Sequence, residues 1–165
     1  MIIIKDSMVL IHLAKITLLE TSCEHFKKVA IPKKIKDETT NTLHSDAKVI
    51  KDLIAKGKIE VIKVKDTSLI KKANEFNIQG GEAEAVALYW EINANLLATD
   101  DDNVRRKREV LQLNMIGTPA LMLELYKKNK INKAKLYDSI KTMKIIGWFS
   151  NTVWDKILME VDKNG

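Results

Sequence analysis

The feature that most constrains the fold is the alternation of very short apolar runs with longer segments of helical periodicity. The runs interpreted as strands are Met1–Ile4, Val29–Ile31, Ile59–Val64, Leu96–Ala98 and Asn114–Ile116. Most of these runs are apolar throughout, which is typical of strands buried on both faces of a parallel sheet. The sequence therefore predicts an α/β fold with a parallel sheet and helices on both of its faces.

Helices are predicted between and after these strands. They are expected from Ser7 to about Leu19, from Pro32 through Glu38, from Ser45 to Gly57, from Thr67 or Ser68 to about Phe76, from Glu82 to about Ile92, and over Val104–Leu111, Leu121–Lys128, Lys135–Lys144 and Thr152–Val161. With 165 residues, 45% of them hydrophobic, the chain is long enough for one ordinary domain with a full core. We expect an α/β domain over residues 1–130 and a helical C-terminal extension, residues 131–165, packed on it.

Composition excludes several classes of protein. The single cysteine, Cys23, excludes an intramolecular disulfide and a cysteine-based zinc site, and the three histidines show no metal-binding spacing. No apolar run approaches the roughly 20 residues of a membrane helix. The N-terminus has only three isoleucines before its first charge, so it does not resemble a signal peptide, and we expect a cytoplasmic protein without membrane association.

The charge is distributed unevenly along the chain. Lys and Arg number 28 against 22 Asp and Glu, a net charge of +6, yet residues 73–102 contain seven acids and no Lys or Arg. An acidic island in a basic protein favours a metal-dependent enzyme that acts on a phosphate backbone. Chance clustering on a solvated face is the alternative. A dinucleotide-dependent enzyme is disfavoured, because no G-x-G-x-x-G follows the first strand.

Four sets of acids lie at predicted strand ends or on the helices beside them. Asp6 follows the first strand, Asp100–Asp102 follow Leu96–Ala98, Glu82 begins a helix, and Glu38 lies on the helix after the second strand. Ligands of open α/β sheets bind beyond the carboxyl ends of the strands, so these acids could converge if the first strand is central and Leu96–Ala98 is beside it. Such a cluster would hold Mg²⁺ or Mn²⁺ rather than Zn²⁺.

Each acid also has a simpler interpretation. Asp6 and the three aspartates could act as helix N-caps, and Glu82 could be favoured by the helix dipole. Glu38 could be an exposed helical residue.

The order and spacing of short motifs resemble the PIN domain family. The motifs are Asp6-Ser7, Gly81-Glu82-Ala83-Glu84-Ala85, Asp100-Asp101 followed by Arg105, and Gly117-Thr118, and the segment Ile146-Gly147-Trp148-Phe149-Ser150 is similar to the C-terminus of one subgroup. The Glu-Ala-Glu-Ala element followed by Ala98-Thr99-x-Asp101 is also similar to the flap endonucleases. The resemblance covers nearly the whole chain.

The resemblance implies a three-layer α/β/α sandwich with the activity of a metal-dependent nuclease, usually on single-stranded RNA. By position, the family's acidic quartet corresponds to Asp6, Glu38, Glu82 and Asp101, with Glu84 and Asp100 as further candidate metal ligands and Mg²⁺ or Mn²⁺ as cofactor. Ser7 and Thr118, which belong to the same motifs, are expected to contact substrate. Asn103 stands where flap endonucleases carry another acid.

The resemblance also bears on partners and on an alternative function. Many PIN domains are the toxin of a toxin–antitoxin pair, inhibited by a small protein, and many are dimeric. The alternative is an inactive PIN-like module that binds RNA or a protein partner; the intact acids favour the enzyme.

Basic residues follow the acids directly. Arg105, Arg106 and Arg108 are predicted to bind RNA phosphates, because cations in the first turns of a helix oppose its dipole. A solvated helix face is the alternative. The lysine run 127–135 is a weaker candidate for the same role, and an aromatic content of 5% argues against a base-stacking platform.

Overall fold

A computed structural model describes residues 1–146 and 148–164, so Gly147 of the C-terminal motif and Gly165 lie outside the described residues. Within the described part, five parallel strands form one sheet in the order β3-β2-β1-β4-β5. The strands are β1 (Ile2–Lys5), β2 (Lys28–Pro32), β3 (Glu60–Ile62), β4 (Leu96–Ala98) and β5 (Met115–Ile116). The predicted central position of the first strand, with Leu96–Ala98 beside it, is confirmed.

The helices account for the remaining regular structure of the described residues. They are α1 (Ser7–Lys15), α2 (Leu19–His25), α3 (Lys33–Thr40), α4 (Ser45–Ala55), α5 (Thr67–Glu75), α6 (Gly80–Glu91), α7 (Asp102–Arg106), α8 (Thr118–Lys127), α9 (Lys133–Ile146) and α10 (Asn151–Asn164). Helices α1, α3 and α4 pack on one another, α5 packs on α6, and α6 also contacts β1, β2 and β4. The predicted three-layer α/β/α sandwich is confirmed.

The direction of strand addition changes between β1 and β4, which creates a crevice at their carboxyl ends. From β1 the chain proceeds to β2 and β3 on one side, and β4 returns to the other side of β1. The register pairs Lys5 with Ala98, and the backbone N–H of Asp6 continues this ladder by donating to the carbonyl of Ala98 at 2.9 Å. Asp6 and the residues after Ala98 are therefore neighbours at the position where open α/β sheets bind ligands.

The C-terminal helices share the apolar core of the sheet. Helix α10 packs on α8, and its Trp154 and Val161 are fully buried, as are Leu136 and Met143 of α9. The division of the chain at residue 130 remains a prediction.

Two predicted helices end earlier than expected. The first ends at Lys15, because Thr17 adopts a left-handed backbone conformation with φ of 57°, and a second helix that sequence periodicity did not reveal, α2, follows. The helix predicted over Val104–Leu111 is only the short α7, which gives way to turns that end at Gln112, φ 55°.

Candidate active site

Asp6 is the most deeply buried of the four acids that correspond to the family's acidic quartet. It is 2% exposed, and its Oδ1 accepts the backbone N–H of Val9 at 2.9 Å, which caps α1. Within the described residues, its Oδ2 has no hydrogen-bond partner. The capping interpretation is thus correct for one oxygen of Asp6 and leaves the other oxygen available.

The surroundings of Asp6 disfavour its negative charge. The pKa of Asp6 is raised to about 7, mainly by burial and also by the negative charges of Asp100 and Glu82, while the Thr99 hydroxyl and the Val9 N–H act in the opposite direction. Near neutral pH the isolated carboxylate is therefore on the border between its charged and neutral forms. A cation at this position would favour the charged form.

Asp101 follows β4 and caps the next helix in the same manner as Asp6. Its Oδ1 accepts the backbone N–H of Val104 at 2.9 Å, and its own N–H donates to the Thr99 hydroxyl at 3.1 Å. The side chain is partly exposed. The two aspartates thus begin α1 and α7 from adjacent strands.

Helix α6 brings Glu82 into the same region. Partial burial raises the pKa of Glu82, and the nearby charges of Asp101 and Glu38 raise it further. The charge of Glu82 also raises the pKa of Asp6, so Glu82 is electrostatically coupled to Asp6, Asp101 and Glu38. We call Asp6, Glu38, Glu82 and Asp101 the acidic cluster.

Glu38 is oriented by α1 and by the two glycines that begin α6. The Ser7 hydroxyl donates to Glu38 Oε2 at 2.9 Å. Gly80 has φ of +60°, a conformation that glycine adopts without strain, and a Cβ on Gly81 would lie 2.5 Å from Glu38 Oε2. The glycines thus let the start of α6 approach the Glu38 carboxylate closely. Ser7, predicted to contact substrate, bonds to Glu38 in the structure.

Glu84 lies on another side of α6. It lines an open groove of about 520 Å³ with Lys33, Lys34 and Glu38. Partial burial raises the pKa of Glu84, Lys34 lowers it, and Glu38 raises it. Two residues along a helix correspond to about 200° of rotation, which separates Glu84 from the face that carries Glu82.

Asp100 is engaged in a buried network, although it was a candidate metal ligand. Its Oδ1 accepts the backbone N–H of Thr118 at 2.7 Å, and its Oδ2 accepts the Thr118 hydroxyl at 2.5 Å and His12 Nδ1–H at 2.7 Å. Asp100, Thr118 and His12 are at most 2% exposed. The network ties the end of β4 to the start of α8 and to α1, and the predicted roles of Asp100 and Thr118 toward metal and substrate remain predictions.

The chain matches the family model described as a PIN domain over residues 2–163. It belongs to the PIN domain family. PIN domains are generally nucleases and generally use divalent metal ions. Comparison with curated proteins and with solved structures gives no significant match. Among the described residues, no helix is long and apolar enough to span a membrane.

The donor chemistry of this PIN domain fits a divalent ion at Asp6. A buried oxygen without a hydrogen-bond donor is costly unless a proton or cation satisfies it, and Asp6 Oδ2 is such an atom. Its neighbours offer carboxylate oxygens, which Mg²⁺ and Mn²⁺ prefer. In the described part of the chain, no three His, Cys, Asp or Glu side chains lie close enough together to hold one ion as they stand. Mutual repulsion separates carboxylates that no cation bridges.

The four consecutive basic residues at positions 105–108 divide into two groups. Arg105, Arg106 and Arg108, which we call the arginine cluster, are exposed and line one cleft. Lys107 instead donates to the Phe76 carbonyl and to Asn103 Oδ1. The Asn103 side chain amide also donates to the Asn77 carbonyl, so this residue is used to hold α7 against the loop before α6.

The lysine run 127–135 has other partners at two of its positions. Lys127 pairs with Glu160 at 3.5 Å, and Lys135 donates to the Thr17 hydroxyl. The structure thus gives these two side chains contacts within the protein.

Lys5 is an unexpected buried cation beside the site. It is fully buried at the end of β1, with its Nζ 4.0 Å from Cys23 Sγ and 5.4 Å from the centre of the Phe26 ring. Burial lowers the pKa of Lys5 to about 8, although the Cys23 thiol acts to raise it. Successive strand residues point to opposite faces, so Lys5 and Asp6 lie on different sides of the sheet.

His12 is the residue that sequence reasoning missed. It was considered only as a metal ligand, whereas the structure shows it bonded to Asp100 and packed between aromatic rings. Its partners are 88 and more than 130 residues away along the chain, so no local pattern could have revealed them.

Proposed function

We propose that this PIN domain is a Mg²⁺- or Mn²⁺-dependent endoribonuclease that hydrolyses phosphodiester bonds of single-stranded RNA. The observation that carries the proposal is Asp6, a buried carboxylate at the crevice between β1 and β4, one oxygen of which has no hydrogen-bond partner within 3.5 Å among the described residues. Glu82 lies near enough to raise the pKa of Asp6, and Asp101 and Glu38 lie near Glu82 in turn. A structural N-cap would need neither the second oxygen nor these neighbours.

The four residues of the acidic cluster have different roles toward a bound ion. Asp6, Glu82 and Asp101 would hold it, and when bound a divalent cation activates water and stabilises the charge of the leaving oxygen. The N-capping bonds fix Asp6 and Asp101 through one oxygen each, so the orientation of the other oxygen is set by the backbone. Ser7 orients Glu38 at the edge of the cluster.

The remaining residues position substrate around this centre. The arginine cluster follows Asp101 directly and is exposed, so it can bind phosphates as they pass the acids. Asp100, bonded to Thr118 and His12, holds the strand end that presents Asp101. These residues orient RNA and the acids rather than react.

Asp101→Asn tests the assignment, with Asp102→Asn as the matched control. Asp102 is the exposed neighbouring residue, and the substitution keeps the shape of the side chain in both variants. We expect Asp101→Asn to reduce Mn²⁺-dependent cleavage of labelled single-stranded RNA by more than the 10- to 100-fold typical of residues that only support a ligand. Asp102→Asn should retain most activity.

The same cleavage experiment distinguishes the nuclease from the alternative, an inactive module that only binds RNA or a protein. A wild-type protein that binds RNA or a protein but leaves RNA intact in both Mg²⁺ and Mn²⁺ would support the inactive module. Equal cleavage by wild type and Asp101→Asn would show that the reaction does not take place at this site.

The proposal extends to a cytoplasmic toxin held inactive by a small protein, with a second copy of the chain as a further partner. The support for this extension is the resemblance to toxin-like PIN domains. Expression of the chain alone should arrest growth, and co-expression of the product of a small neighbouring reading frame should restore it. Growth that is unaffected by the active chain would contradict the toxin role.

A further inference from the structure

A second site adjoins the acidic cluster on the C-terminal side of Asp101. It is a cleft of about 830 Å³ between α7 with its following turn and the segment that leads into α10. The lining residues are Asp102, the arginine cluster, Glu109, Trp148, Phe149, Ser150 and Val153. The cleft therefore combines cations with aromatic rings next to a candidate metal ligand.

Trp148 forms an exposed but fixed aromatic surface in this cleft. It is 49% exposed, whereas Trp154 is fully buried. The Trp148 ring packs edge-on against the buried His12 ring, with centroids 5.5 Å apart and an interplanar angle of 62°. Since the bond to Asp100 holds His12 in place, Trp148 has a rigid support and leaves half of its surface open.

Phe149 completes the support from the other side. Its ring contacts His12 at 5.9 Å and Trp154 at 5.6 Å between centroids. Phe149 also borders a smaller adjoining pocket of about 210 Å³, which Lys156 and Arg105 line as well. The aromatic surface is thus anchored in the core rather than carried by an isolated loop residue.

The charges of the cleft favour a polyanion. Within the described residues, no member of the arginine cluster has a carboxylate within 4.0 Å. Asp102 and Glu109 also line the cleft, but the three arginines outnumber them. Exposed guanidinium groups beside an open indole ring are the combination that binds single-stranded nucleic acid, through phosphates and base stacking.

The position of the cleft relates it to the acidic cluster. Asp102 lines the cleft and is adjacent to Asp101, the N-cap of α7. Arg105 lines the cleft and lies near the buried Asp100, the residue before Asp101, because a Cβ on Gly117 would be 2.7 Å from Arg105 Nη1 and 3.1 Å from Asp100 Oδ1. A strand whose phosphate reaches the acids can continue along α7 into the cleft.

We infer that this cleft binds a nucleotide of single-stranded RNA next to the cleaved bond, with its base stacked on Trp148 and its phosphate held by the arginine cluster. The inference rests on the proposed function, which supplies RNA as the substrate. It adds a base-binding subsite that the low aromatic content of the sequence argued against. Stacking uses the face that all bases share, so the subsite tolerates different sequences.

The test compares Trp148→Leu, Trp148→Phe and Leu43→Ala. Leu43 is a fully exposed apolar residue away from the lining of the cleft, and it serves as the control. Binding of a short fluorescein-labelled oligoadenylate is measured by anisotropy in EDTA at several salt concentrations, after thermal unfolding confirms that each variant is folded. The oligonucleotide is also prepared with single abasic positions.

Trp148→Leu should weaken binding by about 5- to 150-fold, the equivalent of the 1–3 kcal/mol that a stacked base contributes. The slope of log affinity against log salt should stay unchanged, since no phosphate contact is lost. Trp148→Phe should keep most of the affinity but lose the quenching of tryptophan fluorescence that RNA causes in wild type. One abasic position should weaken binding by wild type and not by Trp148→Leu.

Failure of this inference and failure of the proposed function give different results. If wild type cleaves RNA but Trp148→Leu binds oligoadenylate as tightly as Leu43→Ala, the stacking subsite is wrong and the cleft is left for a protein partner. If binding depends on Trp148 but wild type never cleaves RNA in Mg²⁺ or Mn²⁺, the subsite stands and the nuclease assignment fails.

Discussion

Replacing Asp6 by asparagine is expected to abolish RNA cleavage and at the same time to stabilise the metal-free protein near neutral pH. Asparagine is as good an N-cap as aspartate, so its side-chain oxygen can keep the bond from the Val9 N–H. The change removes the charge that would bind a cation. It also removes the carboxylate whose ionised form is disfavoured by burial.

The size of the stability effect follows from the pKa of Asp6. Burial raises this pKa from 3.8 to about 7, and each unit corresponds to about 1.4 kcal/mol, so ionisation costs the folded state roughly 4 kcal/mol. Between these two pH values the folded protein binds a proton that the unfolded chain lacks. The contribution of Asp6 to the free energy of unfolding is therefore fully present below about pH 4 and lost as the pH rises through about 7.

The assay is thermal and denaturant unfolding of wild type, Asp6→Asn and the control Asp102→Asn in EDTA, from about pH 4 to about pH 8. The difference between wild type and Asp6→Asn should change by up to about 4 kcal/mol over this range, or roughly 8–16 °C in Tm for a domain of this size. Glu82, whose pKa is also raised, is present in both proteins, and its contribution to the difference is limited to its charge interaction with Asp6. Asp102→Asn should retain the wild-type pH dependence because it keeps Asp6.

Metal provides the second half of the assay. Mn²⁺ should raise the Tm of wild type at about pH 7.5 and have little effect on Asp6→Asn, since a ligand at 100 times its Kd stabilises by about 2.7 kcal/mol. Parallel pH profiles for wild type and Asp6→Asn would refute the buried-carboxylate argument. Full cleavage by folded Asp6→Asn would refute its role in the reaction.

Three further predictions concern residues around the cluster. Gly81→Ala should raise the free energy of unfolding by about 0.5–1 kcal/mol, because alanine replaces glycine in a helix. The same change should reduce RNA cleavage about tenfold or more, because the new Cβ displaces Glu38 from Ser7. Unchanged cleavage kinetics would contradict this prediction. Lys5→Met should stabilise the protein by up to about 3 kcal/mol near pH 7, and this gain should be lost by about pH 11, where the amine is mostly neutral in both states; urea unfolding at both pH values checks it. Alanine at all three positions of the arginine cluster should reduce the salt dependence of RNA binding by about 0.7 in slope per lost phosphate contact, and an unchanged slope would mean that these side chains are only solvated.

The sequence by itself determined the α/β class and most element positions, because the patterns that carry them are local. An apolar run such as Leu96–Ala98 is buried wherever the sheet forms, and an aspartate after such a run lies at the carboxyl end of its strand. The prediction that Asp6 and Asp101 follow neighbouring strands needed one further assumption, that both acids serve the same site. The resemblance to PIN domains, now shown by the family match, rested on the same local motifs.

Element ends depended on backbone conformations that apolar periodicity does not encode. The early end of α1 follows from the left-handed conformation of Thr17, a residue with no strong preference for it. Helix α7 stops at Arg106 although the apolar pattern continues to Leu111. In both cases packing against the rest of the fold overrides the periodicity.

Only the tertiary structure shows which of several similar neighbouring residues bond within the protein and which remain available to a ligand. Asp100 and Asp101 are indistinguishable in sequence, but Thr118 and His12 bind both oxygens of Asp100, and Asp101 keeps one oxygen available after capping α7. The same holds for Lys107, which bonds to the protein while the flanking arginines stay exposed.

The aromatic surface formed by Trp148 shows most clearly why local sequence and tertiary structure determine different properties of the protein. An aromatic content of 5% argued against base stacking, because composition averages over the chain. The proposed subsite needs a single indole ring held in place, and Trp148 contacts the ring of His12, more than 130 residues earlier. Local sequence determines which residues are buried and where elements lie, whereas contacts between distant segments determine which polar and aromatic groups remain free to bind a ligand.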